Sequence, residues 1–275
     1  NSGEKTLFLI GYAGTGKSTS SRAILELLEE IVSYDDIIAI ALSGIASQRI
    51  SDTTGYNSST IQSLLVKHKE KDFFPYKVIL LDEASMVNSV TFAQIISKIS
   101  DDTIFIIVGD DGQLPAIGAG NILADSIKYE LAPICKLTKI YRQNENQAIA
   151  VIANDIRKGE LPNYKEEYED FKFVDVSIGN YYSMKNSLSQ NEFSDMRGEN
   201  SDYILNNILN IASNYIQNYY DFIKEKNIGK ALTLFQVITP MKGGVLGVEN
   251  LNIELQRLFN HTKNKSLKIK EIEYK

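Results

Sequence analysis

A doubly wound parallel α/β sheet is the fold class expected of this chain, on two observations. Apolar runs of strand length alternate with amphipathic stretches from residue 6 to residue 158. These runs are continuously apolar, as in strands buried on both faces. The second observation is Gly11-Tyr12-Ala13-Gly14-Thr15-Gly16-Lys17-Ser18, a full match to G-x-x-x-x-G-K-[ST], set between the run Thr6 to Ile10 and a helical pattern.

The elements follow in chain order. After the strand Thr6 to Ile10, the glycines of the loop let backbone N–H groups converge on phosphate oxygens, and the next helix turns its positive end to the same place. Lys17 would reach the β- and γ-phosphates as a point charge, and the Ser18 hydroxyl would hold Mg²⁺. A Gly-rich turn that merely carries Lys-Ser is the competing reading. Residues 17–33 place Ala23, Ile24, Leu27, Leu28 and Ile31 on one helical face, opposite Glu26, Glu29 and Glu30. Ile37 to Leu42 reads as a buried strand and Gln48-Arg49-Ile50 as helical. After a polar loop, Thr60 is expected to cap a helix over Ile61 to Lys67. His68, between Lys67 and Lys69, reads as a solvated surface residue.

Val78 to Leu81 is the next strand and ends in Asp82-Glu83. At a strand tip downstream of a phosphate loop, Asp82 would bind Mg²⁺, directly or through water, and Glu83 would orient and deprotonate an attacking water. Alone, the two would read as surface carboxylates. Ile104 to Val108 is a further strand. The polar loop after it carries Gln113, which could sense a γ-phosphate or belong to a plain turn with Gly112 and Pro115. A short helix starts at Ile122. Another runs from about Asn146 to Lys158, with Ile149, Ile152, Ala153 and Ile156 inward. Arg142, before it, reads on its own as a surface cation.

Residues 161–200 read as an insertion or linker between a domain over 1–160 and a partial second domain over 201–275. Phe171 to Val176 has the pattern of a strand, and residues 177–200 are polar. Ser201 to Lys226 reads as one long helix with Ile204, Ile208, Ile211, Ala212, Tyr215 and Tyr219 as its stripe. Phe235 to Thr239 reads as a strand. The helix after it carries Val248, Leu251, Leu255, Leu258 and Phe259 on one face.

Composition bounds the function classes. With 43% hydrophobic and 23% charged residues in 275, the chain is globular and long enough for a sizeable core. Its net charge of −6 excludes a general basic coat for nucleic acid, so such contacts must be local. A single cysteine, Cys135, forms no intrachain disulfide and fits a reducing, cytoplasmic compartment. The apolar runs are strand-sized, so no membrane span is expected, and no cluster has zinc spacing.

Five blocks in order resemble the RecD-like branch of superfamily 1 (SF1B) DNA helicases, the family of the exodeoxyribonuclease V α-subunit. They are GYAGTGKST (11–19); ALSGIASQRI with TIQSLL (41–50, 60–65); LLDEASMV (80–87); VGDDGQLPAIGAGNIL with LTKIYRQ (108–123, 137–143); and QVITPMKGGVLGVENLNIELQ (236–256). The resemblance implies a P-loop NTPase with two RecA-like domains, ATP and Mg²⁺ between them, and movement along single-stranded DNA, normally 5′ to 3′. It implies partners among DNA repair and recombination proteins and none in a membrane.

Residue by residue, the resemblance gives ATP binding to Gly11, Ala13, Gly14, Thr15, Gly16, Lys17, Ser18 and Thr19. Mg²⁺ falls to Ser18 and Asp82, and catalysis to Lys17, Asp82, Glu83, Gln113 and Arg142, the last reaching the γ-phosphate. Ser43, Gly44, Thr60, Thr239, Pro240 and Lys242 would meet the DNA backbone without reading bases. Tyr12-Ala13 stands where the branch usually has Gly-Pro, and Gln62 where it has histidine. The chain starts ten residues before its phosphate loop and stops before the last family motifs. A fragment is therefore expected that keeps nucleotide binding and lacks processive unwinding. A nucleotide-gated nucleic-acid-binding module and an RNA-directed helicase remain the alternatives; carboxylates do not cluster beyond the Mg²⁺ site as a nuclease would need.

Overall fold

The computed structural model describes residues 4–12, 14–139, 148–163, 168, 170–174, 190–227, 230–231, 234–259, 267–269 and 272–274. These fall into two compact units, 1–172 and 173–275, each described by itself.

The first unit is built on a six-stranded parallel sheet. Its strands are β1 (Thr6–Gly11), β2 (Ile37–Ala41), β3 (Ser58–Thr60), β4 (Val78–Leu81), β5 (Ile104–Gly109) and β6 (Ile134–Leu137), in the order β3-β2-β4-β5-β1-β6. Helices α1 (Lys17–Glu29) and α2 (Gly44–Thr54) follow β1 and β2, where the chain steps toward the β3 edge. Helices α3 (Ile61–Lys67), α4 (Ser89–Ile96) and α5 (Ile122–Lys128) follow β3, β4 and β5, where it steps back. Right-handed crossovers therefore put the two sets on opposite faces.

The packing agrees. Ile10, Ile40, Ile79, Leu81 and Ile107 pack with Ile61, Leu64, Ile95 and Leu123 on one face. Leu9, Ala39, Leu80, Ile106 and Val108 pack with Leu25 and Ile50 on the other. Burying each Ile or Leu contributes about 1.5–3 kcal/mol, which is what makes continuous apolar runs pay in this topology.

Several expectations are corrected. The buried stripe of α1 is Ser21 and Leu25 with Ile24, Leu28 and Val32 packed beside them. Leu27 and Ile31 face outward, so the stripe is rotated from the one expected. His68 is buried, set edge-on to Phe74 and Tyr76, because the chain turns inward at the end of α3 while its lysine neighbours stay out. Strands β3 and β6 were not expected. In α6 (Ala148–Lys158) the buried residues are Ala148 and Ile152, whereas Ile149, Ala153 and Ile156 are exposed. Residues 171–174 form no strand, and Asp175 and Val176 of the expected strand lie outside the described residues.

In the second unit, the long helix is two: α7 (Gln190–Ser213), beginning inside the expected linker, and α8 (Ile216–Lys224), with a break at Asn214-Tyr215. Phe235 to Thr239 runs without strand pairing. It lines a groove of about 300 Å³ with Val248, Leu251 and Leu255 of α9 (Val248–Phe259). A hairpin of β7 (Leu267–Ile269) and β8 (Ile272–Tyr274) was not expected either. Among the described residues no helix is long and apolar enough to cross a membrane.

Candidate functional site

β4, β5 and β1 are successive neighbours in the sheet, so their carboxyl ends bring three loops together. The loop after β1 starts at Gly11, where any Cβ would overlap Thr15 Oγ1 and come within 3.0 Å of Leu137. The Tyr12 carbonyl accepts from the Thr15 amide (3.2 Å) and from Thr15 Oγ1 (2.8 Å), which closes the loop on itself. Gly16, at φ +89°, caps α1 with no side-chain partner, so the first-turn amides of α1 face the loop's hollow.

Lys17 is the first residue of α1. Its Nζ donates to the carbonyls of Gly11 (2.6 Å) and Tyr12 (3.0 Å). Burial lowers its pKa, while the carboxylates of Asp110 and then Asp82 oppose that shift.

Asp82 follows β4 directly, fixed by its amide donating to the Ile40 carbonyl (2.8 Å). Burial pushes its carboxyl up; a hydrogen bond from the Glu83 amide works against this. Glu83 sits at φ 52°, in the left-handed region that glycine favours, at a cost of about 1–3 kcal/mol.

Asp110, 3% exposed at the tip of β5, accepts from the Gly112 amide (3.0 Å) and pairs with Arg157 of α6. Gln113 Oε1 accepts from the Ser85 hydroxyl at 3.3 Å. A cavity of about 200 Å³ opens between these loops. Lys17, Ser18, Thr19, Asp82, Glu83 and Gln113 line it, together with Gly14, Gly16, Tyr12, Arg49, Gly109 and Asp110.

The structure thus gathers most of the expected nucleotide residues at one place; Ala13 and Arg142 lie outside the described residues. Of the residues expected to meet DNA, Ser43 and Thr60 are helix caps. Ser43 Oγ accepts from Ala46 N–H at the start of α2, and Thr60 Oγ1 from Ser63 N–H at the start of α3, both at 3.1 Å. Ala41 pairs in register with Thr60, so both caps and Gly44 lie at one end of neighbouring strands. Thr239, Pro240 and Lys242 belong to the second unit. There Thr239 Oγ1 donates to the Leu246 carbonyl (2.7 Å) and the Lys242 carbonyl accepts from Glu249 N–H (3.2 Å).

Two charged residues that line this cavity, Asp110 and Arg49, were not singled out from the sequence, nor was Arg157, which contacts Asp110 and Tyr12 of the lining. Asp110 had a signal, an acidic residue at the end of an apolar run. Arg49 lies within the block 41–50 but has no chemical signal of its own, and Arg157 has none because it reaches Asp110 from a helix 47 residues further along the chain.

The model of the AAA domain family matches residues 1–177. The chain is 27% identical over 264 residues to the ATP-dependent RecD2 DNA helicase of Deinococcus radiodurans, covering 94% of this chain and 31% of that protein. It is 27% identical over 183 residues to the RecBCD enzyme subunit RecD of Mycolicibacterium smegmatis, covering 55% and 33%. Among solved structures, the Bacteroides Pif1 helicase crystallised with ADP-AlF3 and ssDNA aligns with a TM-score of 0.41 at 22% identity, over 59% of this chain and 44% of that one. The chain thus spans about a third of the length of these two curated relatives.

Proposed function

Because the chain belongs to the AAA domain family, on its RecD-like superfamily 1 side, we propose that it hydrolyses ATP and couples the hydrolysis to movement along single-stranded DNA. The observation that carries the reading is one cavity lined by Lys17, Ser18, Asp82, Glu83 and Gln113 at the ends of three adjacent strands.

The residues fit ATP and Mg²⁺ by their donor chemistry. The Lys17 ammonium, now on two backbone carbonyls, exchanges these for phosphate oxygens. The Ser18 hydroxyl and the Asp82 carboxylate are hard oxygen donors suited to Mg²⁺, which when bound neutralises charge on the β- and γ-phosphates. The loop from Gly11 through Ala13, Gly14, Thr15 and Gly16 to Thr19 supplies backbone amides. Glu83 orients the attacking water and takes its proton. Gln113 donates to the γ-phosphate, and Arg142 adds positive charge there as transition-state charge develops.

For DNA, Ser43, Gly44 and Thr60 offer hydroxyls and amides at two helix N-termini, a donor set for backbone phosphates. Thr239, Pro240 and Lys242 take the same role on the second unit. The reading divides the chain into a RecA-like ATPase domain over 1–160, a connecting segment over 161–200 and part of a second RecA-like domain over 201–275. Translocation runs 5′ to 3′, with partners in DNA repair and recombination.

The test is steady-state ATP hydrolysis with no nucleic acid, with single-stranded DNA and with single-stranded RNA, beside Lys17→Ala and Glu83→Gln. Stimulation by DNA that both substitutions abolish supports the reading. Stimulation by RNA alone would assign the other nucleic acid. Binding of ATP without turnover would leave a nucleotide-gated module.

A further inference from the structure

Arg157 sits near the end of α6, 47 residues beyond its carboxylate partner Asp110. The helix is held in place by buried Ala148 and Ile152, and by the Ala148 amide donating to Asp170 Oδ1 (3.1 Å). From there the guanidinium enters the nucleotide end of the sheet and makes two contacts at once. It pairs with Asp110, whose side chain is 4% exposed, and it lies over the Tyr12 ring at 3.6 Å from the centroid.

Both contacts fall on loops the cavity depends on. Tyr12 is the phosphate-loop residue whose carbonyl holds Lys17 and Thr15. Asp110 organises the other loop: its Oδ1 accepts from Gly112 and its carbonyl from the Gln113 amide (3.3 Å). A Cβ at Gly112 would overlap the guanidinium, so that glycine makes the approach possible. A planar guanidinium can stack on a ring and bind a carboxylate together; an ammonium cannot.

The charges give the arrangement a purpose. Asp110 lines the cavity beside Lys17, and of the carboxylates acting on Lys17 it acts most strongly. Left unpaired, a buried carboxylate would compete with phosphate for the lysine. We propose that Arg157 is a positioning residue for the nucleotide: it occupies Asp110 and packs on Tyr12, which keeps Lys17 available to the phosphates and fixes the phosphate loop against the Gln113 loop. This rests on the reading of the cavity as an ATP site.

The experiment measures MgATP binding by calorimetry and hydrolysis by the 275-residue chain. The variants are Arg157→Ala, Arg157→Lys, Asp110→Asn, the double variant Asp110→Asn/Arg157→Ala, and Lys17→Ala, with a thermal melt of each. Arg157→Ala weakens ATP binding about tenfold or more, seen in KM more than in kcat. Arg157→Lys recovers part of that, through charge without stacking. The double variant regains most of the affinity, since no carboxylate remains to be occupied. A purely structural clamp would instead lower the melting temperature of both Arg157→Ala variants and leave the double variant no better at binding.

Wild-type affinity in Arg157→Ala overturns the proposal. So does a double variant that binds at least about tenfold more weakly than Asp110→Asn alone, a comparison that stands even where Arg157→Ala does not fold. Wild-type protein that binds ATP no better than Lys17→Ala defeats the nucleotide reading itself, and Arg157 with it.

Discussion

The Ser85 hydroxyl donates to Oε1 of Gln113 across 3.3 Å, joining the segment after Asp82-Glu83 to the loop after β5. With its oxygen engaged, the Gln113 amide has its NH₂ left to donate into the cavity. Ser85→Ala should lower ATP turnover by about fivefold, the worth of roughly one hydrogen bond of orientation, and Gln113→Ala by more. Turnover kinetics of the two single variants and the double one check this. Effects that multiply would show that Ser85 does not act through Gln113.

Glu83 holds a left-handed backbone, φ 52°, where a side chain is strained. Glu83→Gly and Glu83→Ala should both abolish hydrolysis, because each removes the carboxylate. They should differ in stability: the glycine variant is expected to be about 1 kcal/mol more stable than the alanine variant, reversing the usual order. Urea unfolding of the pair measures the difference.

His68 is buried with neither ring nitrogen hydrogen-bonded. Burial, then the charges of Lys71, Lys67 and Lys98, lower its pKa from the usual 6.5. The folded protein therefore holds His68 neutral at a pH where the unfolded chain takes up a proton. Its contribution is full above pH 6.5 and is lost as pH falls below that value toward the folded pKa. Urea midpoints from pH 8 to pH 5 should decline below about 6.5 in the wild type. His68→Leu should flatten that decline and raise the midpoint, since a buried polar ring without partners is replaced by an apolar side chain.

What was legible in the sequence followed from burial on two faces. β1, β2, β4 and β5 stand out as apolar runs because β2 and β4 are buried throughout and β1 and β5 along most of their length. β3 is Ser58-Ser59-Thr60 and β6 contains Cys135 and Lys136; both are edge strands, and only pairing reveals them. The phosphate loop and Asp82-Glu83 were legible because their chemistry is contiguous. Arg157 and Asp110 were not paired in advance, because a contact across 47 residues leaves no local pattern. His68 was misread from its charged neighbours. Leu27 of α1 and Ile31 just after it keep helical spacing with the buried residues, so spacing alone does not tell the outward pair from the inward set.

The placement of β1 also sets an order of assembly. Its partners are β5, where Thr6 pairs with Phe105, and β6, where Phe8 pairs with Ile134. A chain emerging from the ribosome can pair β2, β3 and β4 among themselves well before either partner of β1 exists. The phosphate loop, synthesised before the other loops of this sheet, is then among the last parts of the sheet to be locked, and the entropy of closing a loop of nearly a hundred residues falls on that step. The ability to hold a nucleotide would thus be the sign that this unit has finished folding.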